Sequence, residues 1–469
     1  MAQSITDPRL GRSEAEGPLA PAVTQPTAHS SRRIRLRAGA ALVGLLVAEL
    51  CLVVVAAGKS SLLAPPKAIP FTGWRAGPLH GVAAGLPYDR TALKIGFLGA
   101  MLVMGACYLV LLRHLRALPA RWLLAGILGG HVIVLLGPPL ILSDAFNYID
   151  YARVGVLHHL NPYIHPPRAA RHDPIYHYVS WHRQATPYGP LFTLATYPLA
   201  RLPIWLALWS LKIATVAASL GCVALVAACA RRLKRPALPC AVAVGLNPLL
   251  VVYGVGGVHN DFFMMLLVLA GLLWILMRRE AVGGAALAGS LAIKLASAPL
   301  VPFLLLGAER RRRALAGAVA AALGLGLTAI AVFGTNVPGL TDQANTVTRF
   351  SLPDDAASIL GVAITHPCAG HVYPCVNAAI LTIATTVLIV AMLWLLWRAW
   401  RGADPIACAG WAAVAFVLTL TSVMPWYLLW VLPLAVLSRS RPLQITTGVL
   451  GALLLLASQP AAHLIVYGA

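Results

Sequence analysis

Ser143-Asp-Ala-Phe-Asn-Tyr-Ile-Asp150 sets two carboxylates and a tyrosine just past an apolar run that closes at Leu142. An acidic group held where a hydrophobic span meets water is costly to keep beside a bilayer, so by default it marks a working site. If residues 144–158 are helical, steps of about 100° bring Tyr148, Tyr151 and His158 onto the face of Asp144. Asp150 falls on the opposite side, three residues before Arg153, a spacing that suits a local ion pair. The two carboxylates are therefore expected to have different roles. Asp144 can act as a general base or as an anchor for a ligand, with tyrosines to stack on a ring or bond hydroxyls. The competing reading is a helix cap, because Ser143 and Asp144 are both good N-cap residues. Spacing alone does not choose between them.

Four further groups could join this chemistry. His259-Asn260-Asp261 lies at the tip of an apolar hairpin, either as a second functional carboxylate or as a polar turn capping two helices. Lys294, in Lys294-Leu-Ala-Ser-Ala-Pro299, either pairs with an anion such as phosphate or snorkels towards water. Trp426 and Tyr427 can stack on a ligand, or simply belong to the aromatic belt of a membrane interface. Between Asn161-Pro162-Tyr163 and Pro187-Tyr188-Gly189-Pro190 runs a polar loop with six of the chain's 14 histidines and Arg168, Arg171 and Arg183. Its positive charge suits an anionic group such as a lipid phosphate, or plain contact with anionic headgroups. None of these histidines has metal-site spacing. No metal and no cofactor is expected, with a divalent ion left open.

The elements that must hold these residues follow from composition. The chain is 59% hydrophobic and 11% charged, with mean hydropathy +0.78. Apolar runs long enough to span a hydrocarbon core recur from end to end, and backbone in lipid must bond within its own segment, so they read as helices. The fold class is all-α: a polytopic integral membrane protein. A net charge of +21 could suggest nucleic acid, but its distribution excludes that reading. Arginine and lysine cluster at short junctions, Arg32 to Arg37, Arg113 to Arg121, Arg231 to Arg235, Arg278-Arg279, Arg310 to Arg313, Arg398 to Arg401, and Arg439 with Arg441. This is the positive-inside pattern of cytoplasmic anchors.

Walking between the clusters assigns sides. Segments 38–58, 91–112 and 122–142 leave, return and leave again, which puts Asp144 outside. Segment 203–230 returns, 238–256 and 262–277 form a hairpin with His259 at its outer tip, and 284–306 has arginines on both flanks. That last stretch is expected to be two short helices broken near Lys294 to Pro299, going in and coming back, because a single crossing would leave Arg310 to Arg313 outside. Segments 314–334, 377–397, 405–422, 426–438 and 443–462 complete roughly thirteen spans. Residues 1–34 read as a disordered cytoplasmic tail and 35–469 as the membrane domain, with the C-terminus outside. The outer segments 59–90, 143–187 and 335–376 carry most of the polar and aromatic residues. Cys368 and Cys375 fall in the last of these, where an oxidising compartment permits a disulfide. The other cysteines fall in or near spans, where they pack as small hydrophobes. Glu49, midway along the first span, has no assigned role.

Ser143-Asp144 with Tyr148, Arg153 and Asn161-Pro162-Tyr163, then Tyr188-Gly189-Pro190, resembles the first-loop pattern of bacterial GT-C glycosyltransferases. Gly256-Gly257-Val258-His259-Asn260-Asp261 is similar to their Gly-Gly-x-His-Asn-Asp hairpin, Ala292-Ile293-Lys294-Leu295 to their Ala-Ile-Lys-Leu/Pro break, and Pro425-Trp426-Tyr427 to their Pro-Trp-Tyr. The resemblance covers 35–469 and is nearest to polyprenyl-phosphomannose-dependent α-1,6-mannopyranosyltransferases and the related GT87 group. It implies catalytic extracytoplasmic loops in a bacterial plasma membrane. It further implies a polyprenyl-phospho-sugar donor, a lipid-linked glycan acceptor and an inverting transfer in lipomannan-type polymers. Asp144 would be the base, with Tyr148, Asp150, Tyr151, Arg153, Asn161, Tyr163, Tyr188, His259, Asn260, Asp261, Lys294, Trp426 and Tyr427 binding substrate. The alternatives are a transferase using another polyprenyl-linked sugar such as arabinose, and a transporter or flippase. The latter often carries two similar halves, and no such repeat is apparent here.

Overall fold

The computed structural model describes residues 28–57, 77–79, 82, 89–141, 143–335, 352–363, 365–366 and 375–457. Within the described residues every expected apolar segment is a helix or a broken pair of helices. Five single helices are long and apolar enough to cross a membrane: α1 (Ala28–Ala56), α2 (Arg90–Arg113), α6 (Ile204–Arg232), α11 (Arg311–Phe333) and α13 (Ala378–Trp400). Taken together, α7 (Ala237–Gly245) and a π-helical segment, Leu249–Val255, bent by 52° from it, are also long and apolar enough to cross, as one broken span or as a re-entrant pair. Shorter apolar helices make up the rest: α3 (Ala120–Leu136), α8 (Asp261–Leu276), α9 (Glu280–Ile293), α14 (Pro405–Thr419), α15 (Leu428–Leu437) and α16 (Arg441–Ala457). Helix α1 starts at Ala28, so regular structure reaches into the tail expected over 1–34.

The short helices that carry polar groups are α4 (Asp144–Val156), α5 (Pro190–Thr196), α10 (Val301–Leu306) and α12 (Leu352–Ile359). The only strands among the described residues are the two-residue pair Thr365–His366 and Cys375–Val376. Cys368 and the Cys375 side chain lie outside the described residues, and so does the proposed bridge between them.

The break at Lys294 is where the arginine argument puts it. Helix α9 ends at Ile293, a single 3-10 turn spans Leu295–Ser297, and α10 follows. The starts of α9 and α11 lie against each other, since a Cβ on Gly284 would meet the Ala314 carbonyl and one on Gly317 would meet that of Ala281. Arg278 and Glu309 form an ion pair at the same end. The far end of α11 is tied to the 143–187 loop, where the Asn161 amide donates to the Phe333 carbonyl at 2.5 Å. Since α9 and α11 begin side by side, the chain between them must double back. That makes 294–310 a re-entrant excursion.

Helix α3 delivers the chain to Asp144, and its C-terminus is held by a lysine. Lys212 of α6 donates to the carbonyls of Leu135 (2.5 Å) and Gly137, two acceptors left open at the helix end. One turn earlier His131 Nε2 meets Ser219 Oγ at 2.8 Å. Glu49 of α1 is fully buried against Gly130 of α3, and neither of its oxygens has a partner among the described residues.

Candidate active site

Asp144 opens α4, and its carboxylate does not cap the helix. Ser143 occupies the cap position without a side-chain cap bond, and its Oγ instead meets Ser180 Oγ at 2.5 Å. Asp144 Oδ2 lies 3.2 Å from His259 Nδ1. Burial alone would raise this carboxyl, but the His259 hydrogen bond, the charges of His259 and Lys294, and a bond from the Trp181 side chain outweigh it. The net effect holds Asp144 below the ordinary carboxylate range, and so ionised.

His259 is fixed by backbone that most residues avoid. Val258 has φ 58° and Ile141, on the approach to Asp144, has φ 73°. A β-branched residue in the left-handed region is a steric outlier, costing about 1–3 kcal/mol, and such strain gathers at working sites. The two strained segments are joined where Leu140 N donates to the Gly256 carbonyl at 2.8 Å. Gly257 can only be glycine here, because a Cβ would run into the Tyr253 carbonyl and the His259 ring. The imidazole lies flat on Trp426, centroids 3.5 Å apart and 12° between planes. Tyr148 OH accepts from the backbone N–H of Asn260 at 3.2 Å, which ties the hairpin tip to α4.

A second polar pair stands beside the first. Asp261 is fully buried and accepts from Lys294 Nζ at 3.0 and 2.9 Å and from Trp430 Nε1 at 2.8 Å. Lys294 can reach it because the helix has stopped: its backbone is extended, φ −158° and ψ 127°. The break is held from outside, where Gly189 N donates to the Ile293 carbonyl at 3.0 Å and a Cβ on Gly189 would strike the Ala292 carbonyl. Tyr188-Gly189-Pro190 and Ala292-Ile293-Lys294 are two halves of one contact. Tyr427 and Trp430 stack at 3.9 Å, and Lys294 Nζ sits 5.7 Å from each ring.

The two pairs border a cavity of about 320 Å³. Asp144, Tyr151, Trp181, Gln184, Tyr188, Lys294, Trp426 and Tyr427 give it one polar and aromatic wall. Leu381, Ala384 and Leu388 of α13, with Phe416 and Leu420, give it an apolar one. On α13 those three residues form one stripe, while Ile383, Val387 and Val390 on the other side are exposed. A single helix therefore separates this cavity from the lipid face.

The residues singled out from sequence divide into three sets. Asp144, Tyr151, Tyr188, Lys294, Trp426 and Tyr427 line the cavity. Tyr148, His259, Asn260 and Asp261 stand behind it and are buried. Asp150, Arg153, Asn161 and Tyr163 are elsewhere. Arg153 does not make a hydrogen-bonded pair with Asp150. Its Nε reaches both Asp173 oxygens at 2.9 and 3.1 Å, and Nη1 reaches the Ala200 carbonyl at 2.9 Å. His158 lies past the end of α4 and joins Asp173 at 2.8 Å, so it does not share the Asp144 face. Asn161 accepts from its neighbour Tyr163 N, and Tyr163 OH donates to the Tyr188 carbonyl at 2.7 Å. Trp181, Gln184 and Trp430 were not anticipated. Tryptophans beside polar residues at a span's end were the only available signal, and every membrane interface provides it.

Asp150 is fully buried with neither oxygen partnered among the described residues. Burial, then the nearby Asp173 charge, push its carboxyl up to about 7 against the opposing pull of Arg153. The folded protein thus holds a proton there that the unfolded chain releases near pH 3.8. Stability from this group is full below that value and is lost as pH rises through about 7. Asp150→Asn is expected to flatten the fall in melting temperature between about pH 4 and about pH 7. Parallel melting curves for the two proteins would refute it.

Among the described residues no three His, Cys, Asp or Glu side chains converge to hold a metal. The family profile described as alpha-(1->6)-mannopyranosyltransferase, N-terminal domain, matches residues 41–310, and that of the MptB C-terminal domain matches 356–468. No curated protein and no solved structure matches the chain.

Proposed function

The chain belongs to the alpha-(1->6)-mannopyranosyltransferase family, and from that premise we propose that it moves mannose from polyprenyl-phosphate mannose to a lipid-linked glycan. Mannosyl transfer itself comes with the family. The donor, the α-1,6 linkage, the lipid-linked acceptor and the extracytoplasmic face of a bacterial plasma membrane are our reading of this site.

One observation carries it: an ionised carboxylate, Asp144, and a lysine, Lys294, line one cavity whose opposite wall is apolar. The acceptor hydroxyl attacks the anomeric carbon from the side opposite phosphate and gives its proton to Asp144. The bond from that carbon to the phosphate oxygen breaks, and its electron pair leaves with the phosphate. A β-linked donor then yields an α-linked product. A carboxylate held low is a weak base at equilibrium, but the hydroxyl becomes acidic only as its bond to carbon forms, so the proton moves late. What the leaving phosphate needs is charge stabilisation. An ammonium has three N–H donors; Asp261 takes two of those of Lys294, which leaves one for a phosphate oxygen. Asp261 and His259 orient the two working groups, Trp426 and Tyr427 offer ring faces to sugar, and the α13 stripe suits an isoprenoid chain arriving from the bilayer.

The test is an assay of the purified protein in liposomes with defined polyprenyl-phospho-sugars and a lipid-linked mannan, followed by linkage analysis. New α-1,6-mannose from polyprenyl-phosphate mannose is the expected product. Transfer from a nucleotide sugar, or from the arabinose donor alone, would sink the proposal.

A further inference from the structure

A second, larger cavity of about 640 Å³ opens between α2, α7, α15 and α16. The sequence explains why it is there. Pro236 and Pro239 hold back the start of α7, and the chain bends by 52° beyond Gly245. The short, bent pair leaves the space between α2 and α16 unfilled. Facing positions are small: Gly105 and Ala106 on α2, Ala243 on α7, Gly448 and Ala452 on α16. A Cβ built on Gly448 meets nothing within 4 Å.

The charge at one end of this groove indicates what fills it. Arg235 lines it, with Nε buried and unpartnered and Nη2 only 3.4 Å from the Val436 carbonyl. No carboxylate is among the lining residues. Beside Arg235 the chain carries the exposed Arg231, Arg232 and Lys234, and α16 opens with the exposed Arg441. From Gln444 to Leu456 the α16 wall rises about 18 Å, close to the roughly 15 Å of hydrocarbon in one leaflet. A half-buried guanidinium whose inward Nε has no partner among the described residues is costly to keep, and an anionic group supplies what it lacks.

We propose that this groove binds a membrane phospholipid with an anionic headgroup, its acyl chain between α2 and α16 and its phosphate on Arg235. The lipid is distinct from the donor and acceptor, because the groove and the active-site cavity have no lining residue in common. Helix α15 is the shared wall. Leu428, Leu432 and Val436 face the groove, while Trp430 of the same helix bonds Asp261. An occupant therefore braces the helix that positions Lys294.

Native mass spectrometry of the full-length protein, equilibrated with mixed phosphatidylglycerol and phosphatidylcholine vesicles, reads this directly. Phosphatidylglycerol is expected to be retained in preference. Arg235→Gln should lower that preference about fivefold, the worth of one basic residue at an anionic surface. Gly448→Leu should displace both lipids. Equal retention of the two, or an unchanged preference in Arg235→Gln, overturns the proposal. So does a lower oligomeric state of Gly448→Leu than of the native protein, which would make a second copy the occupant, or greater retention of both lipids after deletion of residues 458–469. If Gly448→Leu does not fold, Arg235→Gln alone decides.

Discussion

Asp144→Asn should lower mannosyl transfer by about 10²–10⁴-fold, the range for removing a positioned general base, while leaving the protein's amount and melting temperature unchanged. Asparagine keeps the shape of the side chain and can still meet His259 Nδ1, now 3.2 Å from the carboxylate. What it cannot do is take a proton. Activity near the native level would remove Asp144 from the chemistry. The pH profile gives a second, independent reading. On the proposed role of Asp144 transfer needs the charged carboxylate, and the His259 and Lys294 charges hold that carboxyl low. The acid limb of the native profile should therefore lie below the ordinary aspartate range. His259→Asn removes a lowering influence, so the limb should move up in pH. A limb that stays where it was would break the link between the two residues.

Lys294→Met should be almost as damaging, for two reasons that can be separated. The first is structural: Asp261 is fully buried, and without the lysine only Trp430 still bonds it. Leaving one half of a buried ion pair costs about 3–5 kcal/mol. The second is chemical: the departing phosphate loses its cation, a loss of about 10²–10³ in rate by analogy with other charge-stabilising donors. The double variant Lys294→Met/Asp261→Asn removes the stranded charge. It should recover most of the melting temperature and none of the transfer. Recovery of both would make Lys294 a structural residue only.

The helices were legible because lipid leaves a chain few choices, and the arginine clusters marked where each had to end. The break at Lys294 was legible for the same reason, since arginines flanked both sides of one short apolar stretch. Partnerships were harder. Arg153 has Asp150 three residues before it, yet its guanidinium finds Asp173, because a turn capped by Asp173 at Ile175 N presents both oxygens to it. Among the described residues Asp150 is left without a hydrogen-bond partner. The contact of Asp144 with His259 spans more than a hundred residues, and no local period encodes it. Gly189 was visible as a motif, but its reason, docking on the Ile293 carbonyl, needed the fold. Trp181 and Trp430 had no distinguishing pattern at all.

Asp144, His259, Asp261 and Lys294 all lie within 41–310, whereas Trp426 and Trp430, which stack on one histidine and bond one aspartate, lie within 356–468. Neither stretch can be excised as a self-sufficient catalyst. During synthesis Asp261 and His259 are made early and wait, incompletely supported, until Trp430 and Trp426, more than 160 residues further on, thread into place.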